Sequence, residues 1–413
     1  MEYGLIGERL GHSFSPMIHS RLGSYDYQLY SLPPQELEPL LRERKFRGLN
    51  VTIPYKQAVI PFCDGLSDTA REIGSVNTLV VDAEGKLWGH NTDQYGFLYM
   101  LRRAGIQLAG KKVLVLGSGG TSLTAVSAAK QLGAAEIIVV SRKGEHNYEN
   151  LHLHYDSQII LNTTPVGMFP NNGQRVIDLR LFPKCEGVAD VIYNPLRTAL
   201  LLDAQELGLP CTGGLPMLVA QAGRAAELFT RQKNGDETIE EIHRELLFQL
   251  TNLVLIGMPG SGKSSVGAGA AAILGREHLD TDTLLCQRSD CTIPQLFEQG
   301  GEAYFRDVEA EAVAEAGKQV GKVISTGGGA ILREENYRSL RQNGVLCFVQ
   351  REIAQLEQEG RPLSKDLETL RRLYEQRLPL YSQYSSLTVQ NHGALEETIR
   401  AAVEGFRGVL QAE

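Results

Sequence analysis

Gly257-Met258-Pro259-Gly260-Ser261-Gly262-Lys263-Ser264 is the stretch that decides the reading of this chain. It matches G-x-x-x-x-G-K-[ST] at every fixed position. The apolar run 253–256 before it predicts a strand, and the residues from Ser264 onward predict a helix, which is the context the pattern needs. Glycines there let backbone N–H groups converge on phosphate oxygens, and the helix N-terminus favours the anion. Gly260, Ser261, Gly262, Lys263, Ser264 and Ser265 are therefore read as a cradle for the phosphates of a nucleotide. Lys263 would neutralise β/γ-phosphate charge, and Ser264 would touch Mg²⁺. A bare glycine-rich turn would rarely supply pattern and context together.

Outward from that loop, short β-branched runs alternate with helix-period segments. Residues 112–116, 137–140, 159–161, 189–192, 253–256, 323–325 and 346–349 read as buried parallel strands, so the fold class is α/β. Three blocks emerge: 1–101, then 102–250 with its last helices returning to the first block, then 251–413. The polar stretch 231–237 reads as a turn, and a helix over about 238–250 leads straight into the next strand. No Gly/Ser- or Pro-rich tether separates the blocks.

Composition limits the partners. A chain of 413 residues with 42% hydrophobic content can bury two or three cores. A net charge of −8 gives no electrostatic footprint for nucleic acid or an anionic membrane. No apolar run is long enough to span a bilayer, and Met1-Glu2-Tyr3-Gly4 does not open a signal peptide. The six scattered cysteines contain no C-x-x-C pair and read as reduced thiols. A cytoplasmic protein acting on small molecules is expected, with room for a homo-oligomer.

A second glycine loop, Gly117-Ser118-Gly119-Gly120-Thr121-Ser122, follows the strand 112–116. Ser122 stands where a strict G-x-G-x-x-G has its last glycine, so the bare pattern is weak. The order of strand, turn, helix and second strand strengthens it. That second strand ends in Ser141-Arg142-Lys143. An NAD site usually places a carboxylate here for the ribose 2′-OH, whereas Arg142 and Lys143 attract a 2′-phosphate. Gly117, Gly119, Gly120, Ser141, Arg142 and Lys143 are therefore expected to hold NADP(H).

Beyond the first loop come Asp280-Thr281-Asp282, Glu302-Ala303-Tyr304-Phe305-Arg306, Gly327-Gly328-Gly329, Gly360-Arg361-Pro362-Leu363 and Arg377-Leu378-Pro379-Leu380-Tyr381. Alone, an Asp-Thr-Asp is more often a helix cap, and an arginine more often half of a surface ion pair. As an ordered set over 253–390 they resemble shikimate kinase. The resemblance implies that Asp280 helps hold Mg²⁺ and that Asp282 binds ring hydroxyls and accepts the attacking proton. It implies that Arg306 and Arg377 clamp a carboxylate. Gly327, Gly328 and Gly329 would bring backbone to the substrate ring, and Arg361 would touch phosphate from a closing lid.

The N-terminal block carries Gly11-His12-Ser13-Phe14-Ser15-Pro16, Asn50-Val51-Thr52-Ile53-Pro54-Tyr55-Lys56, Gly74-Ser75-Val76-Asn77 and Gly89-His90-Asn91-Thr92-Asp93. Later come Asn162-Thr163-Thr164-Pro165-Val166-Gly167-Met168, Asp190-Val191-Ile192-Tyr193-Asn194-Pro195 and Gly213-Gly214-Leu215-Pro216-Met217, followed by Gln221. This ordered set resembles shikimate dehydrogenase over about 3–228. The resemblance implies that Ser13, Ser15 and Tyr193 bind a carboxylate and that Thr52, Asn77, Asn91 and Gln221 sort ring hydroxyls. It implies Lys56 and Asp93 as the acid/base pair, Lys56 supplying the proton to a ketone oxygen as hydride arrives. His12, His19 and His90 lack ligand spacing and read as structural. The segment 144–157 is short for the crossover expected there.

Taken together, the two resemblances imply an N-terminal α/β substrate domain, a Rossmann-like NADP domain and a P-loop kinase α/β domain with a parallel sheet. They imply reduction of 3-dehydroshikimate with NADPH and phosphorylation of shikimate with ATP and Mg²⁺, one product being the other's substrate. Two alternatives differ in what they require. A catabolic quinate/shikimate dehydrogenase with a fused kinase would prefer NAD. A non-catalytic metabolite sensor would have lost catalytic residues, yet Lys56, Asp93, Lys263, Asp280 and Asp282 are all present.

Overall fold

A computed structural model describes residues 2–11, 13–356 and 367–412. Arg361 with its neighbours Gly360, Pro362 and Leu363, and His12, lie outside the described residues. The chain divides into two units, one of Met1–Val166, Arg175–Tyr193 and Leu200–His243, the other of Gly167–Gln174, Asn194–Ala199 and Arg244–Glu413.

The first unit holds two sheets. One contains β1 (Tyr3–Gly7), β2 (Tyr27–Ser31), β3 (Gly48–Val51), β4 (Gly65–Leu66), β5 (Thr78–Val81) and β6 (Leu87–His90). Its order is β2-β1-β3-β5-β6-β4. It is mixed: β3 and β5 run antiparallel, as do β5 and β6, while β1 is parallel to both neighbours. The second sheet is parallel throughout, with β7 (Lys112–Leu116), β8 (Glu136–Val140), β9 (Ile159–Asn162), β10 (Gly187–Asp190) and β11 (Cys211–Thr212) in the order β11-β10-β9-β7-β8.

Both faces of this parallel sheet are covered, which is why β7 and β9 read as unbroken apolar runs. Val113, Val115 and Ile159 pack on one side with Phe97, Met100 and Ala125, and Leu114, Leu116 and Ile160 on the other with Leu179 and Leu200. The strand expected over 189–192 sits earlier, at Gly187–Asp190. Asp190 Oδ1 accepts the Ile192 N–H at 3.1 Å, which turns the backbone out of the ladder. Between β8 and β9 the crossover contains a 3₁₀ turn at Leu151–His154. That turn is the structural form of the short segment noted in the sequence.

In the second unit, β12 (Asn252–Ile256), β13 (His278–Asp280), β14 (Val323–Ser325), β15 (Gly344–Gln350) and β16 (Leu387–Gln390) form a parallel sheet in the order β13-β14-β12-β15-β16. The P-loop thus rises from the central strand. The helix Ile293–Lys318 is broken at Gly301, whose φ of 71° and ψ of −167° suit only glycine. The break starts a fresh helical run that carries Glu302, Arg306 and Glu309 on neighbouring turns.

The helix Asp236–Leu250 is divided between the units after His243. Its C-terminal end is held by Arg276, which donates to Thr251 O at 2.7 Å and also to Phe248 O. The Arg276 guanidinium lies 4.8 Å from the Phe248 ring and 5.2 Å from Phe406, and burial lowers its pKa to about 10. The segment Asn194–Ala199 is fastened to the start of β15. Leu196 N–H donates to Asn343 Oδ1 at 2.9 Å, and Arg197 donates to the Gln342 and Arg341 carbonyls at 2.9 and 3.0 Å. Among the described residues no helix is long and apolar enough to cross a membrane, and all six cysteines are free.

Candidate functional site

The N-terminal cavity, of about 200 Å³, opens at the C-terminal ends of β1 and β3 and beside the helix Leu215–Thr230. It is lined by Ser13, Ser15, Thr52, Lys56, Asn77, Asp93, Tyr193 and Gln221, with Asn50, Met217 and Leu218 also in the wall. Lys56 Nζ donates to Asp93 Oδ2 at 2.5 Å. Asp93 is fixed from its other oxygen, because Asn77 Nδ2 donates to Asp93 Oδ1 at 2.9 Å. Asn77 is itself held by the Thr92 N–H, which donates to Asn77 Oδ1 at 2.7 Å. The ammonium therefore has a set direction and a balanced charge, as a proton donor to a developing alkoxide needs.

The other residues divide clearly. Ser13 Oγ donates to Ser15 Oγ at 3.1 Å, so two hydroxyls share one end of the cavity. Gln221 Oε1 lies 3.4 Å from Thr92 Oγ1 and 3.5 Å from Asn77 Nδ2. Asn91 is not among the lining residues. Its amide donates to Ser75 O at 2.9 Å and its carbonyl caps Gln94 N at 3.2 Å, so it shapes the turn before Asp93. Asn50 lines the wall but is held by Tyr27, whose hydroxyl donates to Asn50 Oδ1 at 2.7 Å. His19 is buried, stacks on Tyr27 at 3.8 Å and has its pKa pushed by burial down to about 3, in keeping with a structural role.

The dinucleotide loop follows from local chemistry. Gly117 has φ +109°, and a Cβ there would come within 2.7 Å of Thr163 Oγ1, so only glycine fits. Gly119 caps the helix Gly120–Gln131, and a Cβ on it would meet nothing within 4 Å. That open space and the free helix N-terminus suit an incoming pyrophosphate. Ser122 fits the last glycine position because its hydroxyl turns back onto Gly119 O at 2.6 Å. Ser141 follows β8, and Arg142 and Lys143 are exposed beyond it with no ion pair among the described residues.

The C-terminal cavity, of about 650 Å³, brings together Gly260, Gly262, Lys263, Ser264, Ser265, Asp280, Asp282, Arg306, Gly327, Gly328, Gly329 and Arg377. Gly260 and Gly262 have φ of +81° and +88°, the conformation that turns successive N–H groups inward. Ser261 O is braced by Asn391 Nδ2 at 2.7 Å. Lys263 Nζ donates to the Gly257 and Met258 carbonyls at 3.0 and 2.9 Å, bonds that phosphate oxygens can replace. Ser264 Oγ donates to Asp280 Oδ2 at 2.8 Å, a pair of hard oxygen donors that suits Mg²⁺. Asp280 Oδ1 meanwhile caps Asp282 N and Thr283 N.

Across the cavity, Arg306 and Arg377 are buried, a placement that needs an anionic partner. Arg306 has Glu309 at 2.7 Å and Glu302 at 3.1 Å. Arg377 Nη1 donates to the Gly328 carbonyl at 3.2 Å, and its Nε is buried without a partner. A Cβ on Gly329 would collide with the Arg306 guanidinium, and one on Gly327 would lie 2.7 Å from Asp282 Oδ1 and 2.9 Å from Glu309 Oε1. The triple glycine is thus required by space as well as by loop form. Glu309 was not anticipated from the sequence; its spacing of three residues from Arg306 was the available signal.

Burial, together with Asp280 and Glu309, raises Asp282 to about 6. A carboxyl that takes a proton must be ionised, so with Asp282 as the proton acceptor activity would be lost as pH falls through that value. The kcat/KM for the phosphoryl acceptor is expected to fall about tenfold per pH unit below about 6. A rate profile that stays flat from about pH 7 to about pH 5 would contradict Asp282 as the proton acceptor.

Comparisons with known proteins find likenesses in both parts of the chain. A family model described as shikimate dehydrogenase substrate binding domain matches residues 5–79, and one described as shikimate kinase matches residues 259–406. A shikimate dehydrogenase (NADP(+)) of Clostridium perfringens is 36% identical over 265 residues, covering 59% of this chain and 97% of that protein. The crystal structure of a chorismate mutase/shikimate 5-dehydrogenase fusion protein from Clostridium acetobutylicum matches with 36% identity and a TM-score of 0.56, over 59% of this chain and 96% of that one. The shikimate 5-dehydrogenase of Thermus thermophilus, solved with NADP(H) and shikimate, matches with 32% identity and a TM-score of 0.54, over 59% and 99%.

Proposed function

The chain belongs to the shikimate dehydrogenase family and carries a shikimate kinase domain behind it, and on that premise we propose how its two cavities divide the work of a bifunctional shikimate-pathway enzyme. The N-terminal cavity reduces 3-dehydroshikimate with NADPH, and the C-terminal cavity phosphorylates the shikimate so formed with ATP. The observation that carries this is the completeness of both sets: the Lys56–Asp93 pair at 2.5 Å, and Lys263, Asp282 and two buried arginines around one cavity.

In the first cavity, Ser13, Ser15 and Tyr193 take the substrate carboxylate, and Thr52, Asn77 and Gln221 orient the ring hydroxyls. Lys56 delivers the proton to the ketone oxygen, and Asp93 holds and charge-balances Lys56. NADPH supplies the hydride when bound. Gly117, Gly119 and Gly120 give its pyrophosphate close access to backbone, and Ser141, Arg142 and Lys143 receive the 2′-phosphate. In the second cavity, Arg306 and Arg377 hold the carboxylate, Gly327–Gly329 lie under the ring, and Asp282 accepts the hydroxyl proton. Lys263 stabilises charge on the transferring phosphoryl group, and Ser264 and Asp280 would hold Mg²⁺ with the nucleotide. Residues 1–101 and 102–250 serve the reductase, and 251–413 serve the kinase.

Cofactor choice tests the assignment of the basic loop. Arg142→Asp removes a charge-assisted bond to the 2′-phosphate and adds repulsion. Its KM for NADPH should rise by roughly ten- to hundredfold, the equivalent of about 1.5–3 kcal/mol, while use of NADH is spared. A wild-type protein that already prefers NADH would overturn the reading of Ser141-Arg142-Lys143 and favour the catabolic alternative.

A further inference from the structure

The C-terminal cavity contains a cation that the motifs do not account for. Strand β15 runs beside β12, with Phe348 opposite Ile256, so both leave the sheet at the same edge. The P-loop leaves from β12, and Arg351 is the first residue beyond β15. Its side chain lines the same cavity as Lys263, Ser264 and Asp282. Arg351 Nη1 lies 3.3 Å from the carbonyl of Gly260, inside the P-loop. Its Nε is buried without a hydrogen-bond partner, and no carboxylate pairs with it among the described residues.

A guanidinium carries five N–H donors in a planar fork, and among the described residues one long bond to a neutral carbonyl engages only one of them. A carboxylate or a phosphate matches that fork with two acceptors at once. The alternative is that Arg351 merely braces the loop. The loop already has a brace in Asn391, at 2.7 Å from Ser261 O, and that bond is shorter and neutral. Charge also separates the cations. Arg306 is paired with Glu309, and Arg377 sits on Gly328 across the cavity. Lys263 and Arg351 both lie at the P-loop, where a nucleoside triphosphate with one divalent cation brings a net charge of about −2.

We propose that Arg351 is a second phosphate-binding cation of the nucleotide site, exchanging the Gly260 carbonyl for oxygens of the ATP polyphosphate when nucleotide arrives. This rests on the kinase reading above.

The test compares Arg351→Met and Arg351→Lys with the wild type in the full chain, by titrating ATP and shikimate separately and by melting the ligand-free protein. Arg351→Met should raise the ATP dissociation constant roughly ten- to hundredfold, the range for a hydrogen-bonded charged group. Shikimate affinity and the ligand-free melting temperature should stay at wild-type values, and Arg351→Lys should recover part of the ATP loss. An ATP dissociation constant within about twofold of wild type in Arg351→Met would overturn the proposal. So would weaker binding of ATP and shikimate together with a lower melting temperature, the signature of a loop brace. A wild-type chain that binds neither ligand would instead defeat the kinase reading itself.

Discussion

Lys56→Met is expected to cut reduction of 3-dehydroshikimate by roughly 10²–10⁴-fold, the usual cost of removing an essential proton donor. The effect should fall on kcat and leave the substrate dissociation constant close to wild type. Ser13, Ser15, Thr52 and Gln221 line the cavity beside the lysine, and in the proposed assignment they would continue to hold the ligand. The ion pair is largely shielded, with Lys56 and Asp93 side chains 19% and 10% exposed. Loss of one partner therefore leaves a carboxylate in a poorly solvated place, and some stability will go with it. Asp93 keeps its bond from Asn77, which limits that loss. Stopped-flow NADPH oxidation, substrate titration and a melting curve on the same preparation separate these effects. Near-normal reductase turnover in a folded variant would remove Lys56 from the chemistry.

Lys263→Met should lower phosphorylation of shikimate by roughly 10²–10³-fold, as loss of one preorganised stabiliser of transition-state charge typically does. The same variant should reduce 3-dehydroshikimate at the wild-type rate, because every residue lining the reductase cavity belongs to the first unit. Methionine preserves most of the side-chain volume, so the helix Lys263–Leu274 should still form. Measurement of ADP release and of NADPH oxidation on one sample gives both readouts. Retained kinase turnover would mean that another group neutralises the β/γ-phosphates.

Local pattern made some of this molecule legible and geometry hid the rest. The P-loop could be read because its chemistry is contiguous: strand, glycines, lysine and helix follow one another directly in the chain. Strands β7, β9, β12 and β15 could be read because sheets covered on both faces force continuous apolar runs. Asn91 shows the limit. Its amide fits a ring hydroxyl as well as it fits a turn, and only the folded backbone reveals that Ser75 O and Gln94 N already engage it. Ser122 breaks the dinucleotide pattern in the sequence, and only the fold shows its hydroxyl bonding back to Gly119 O.

Long-range pairings are hidden for a different reason. Nothing local in Asn194-Pro195-Leu196-Arg197 announces that its N–H groups and guanidinium end on residues 341–343. Those bonds belong to the second unit, although the segment follows Tyr193 of the reductase cavity directly in the chain. A cut at 250/251 would leave Leu196 N–H and Arg197 without these acceptors. The division of labour between cavities is therefore best tested with point variants in the intact chain.

The central claim is that one chain carries out two consecutive reactions. The most direct measurement supplies the full-length protein with 3-dehydroshikimate, NADPH, ATP and Mg²⁺ and follows the carbon skeleton by mass spectrometry. Oxidation of NADPH should be matched by formation of shikimate 3-phosphate and ADP, and omission of ATP should leave shikimate as the product. Accumulation of shikimate with ATP and Mg²⁺ present, or a failure to oxidise NADPH with 3-dehydroshikimate, would contradict the account.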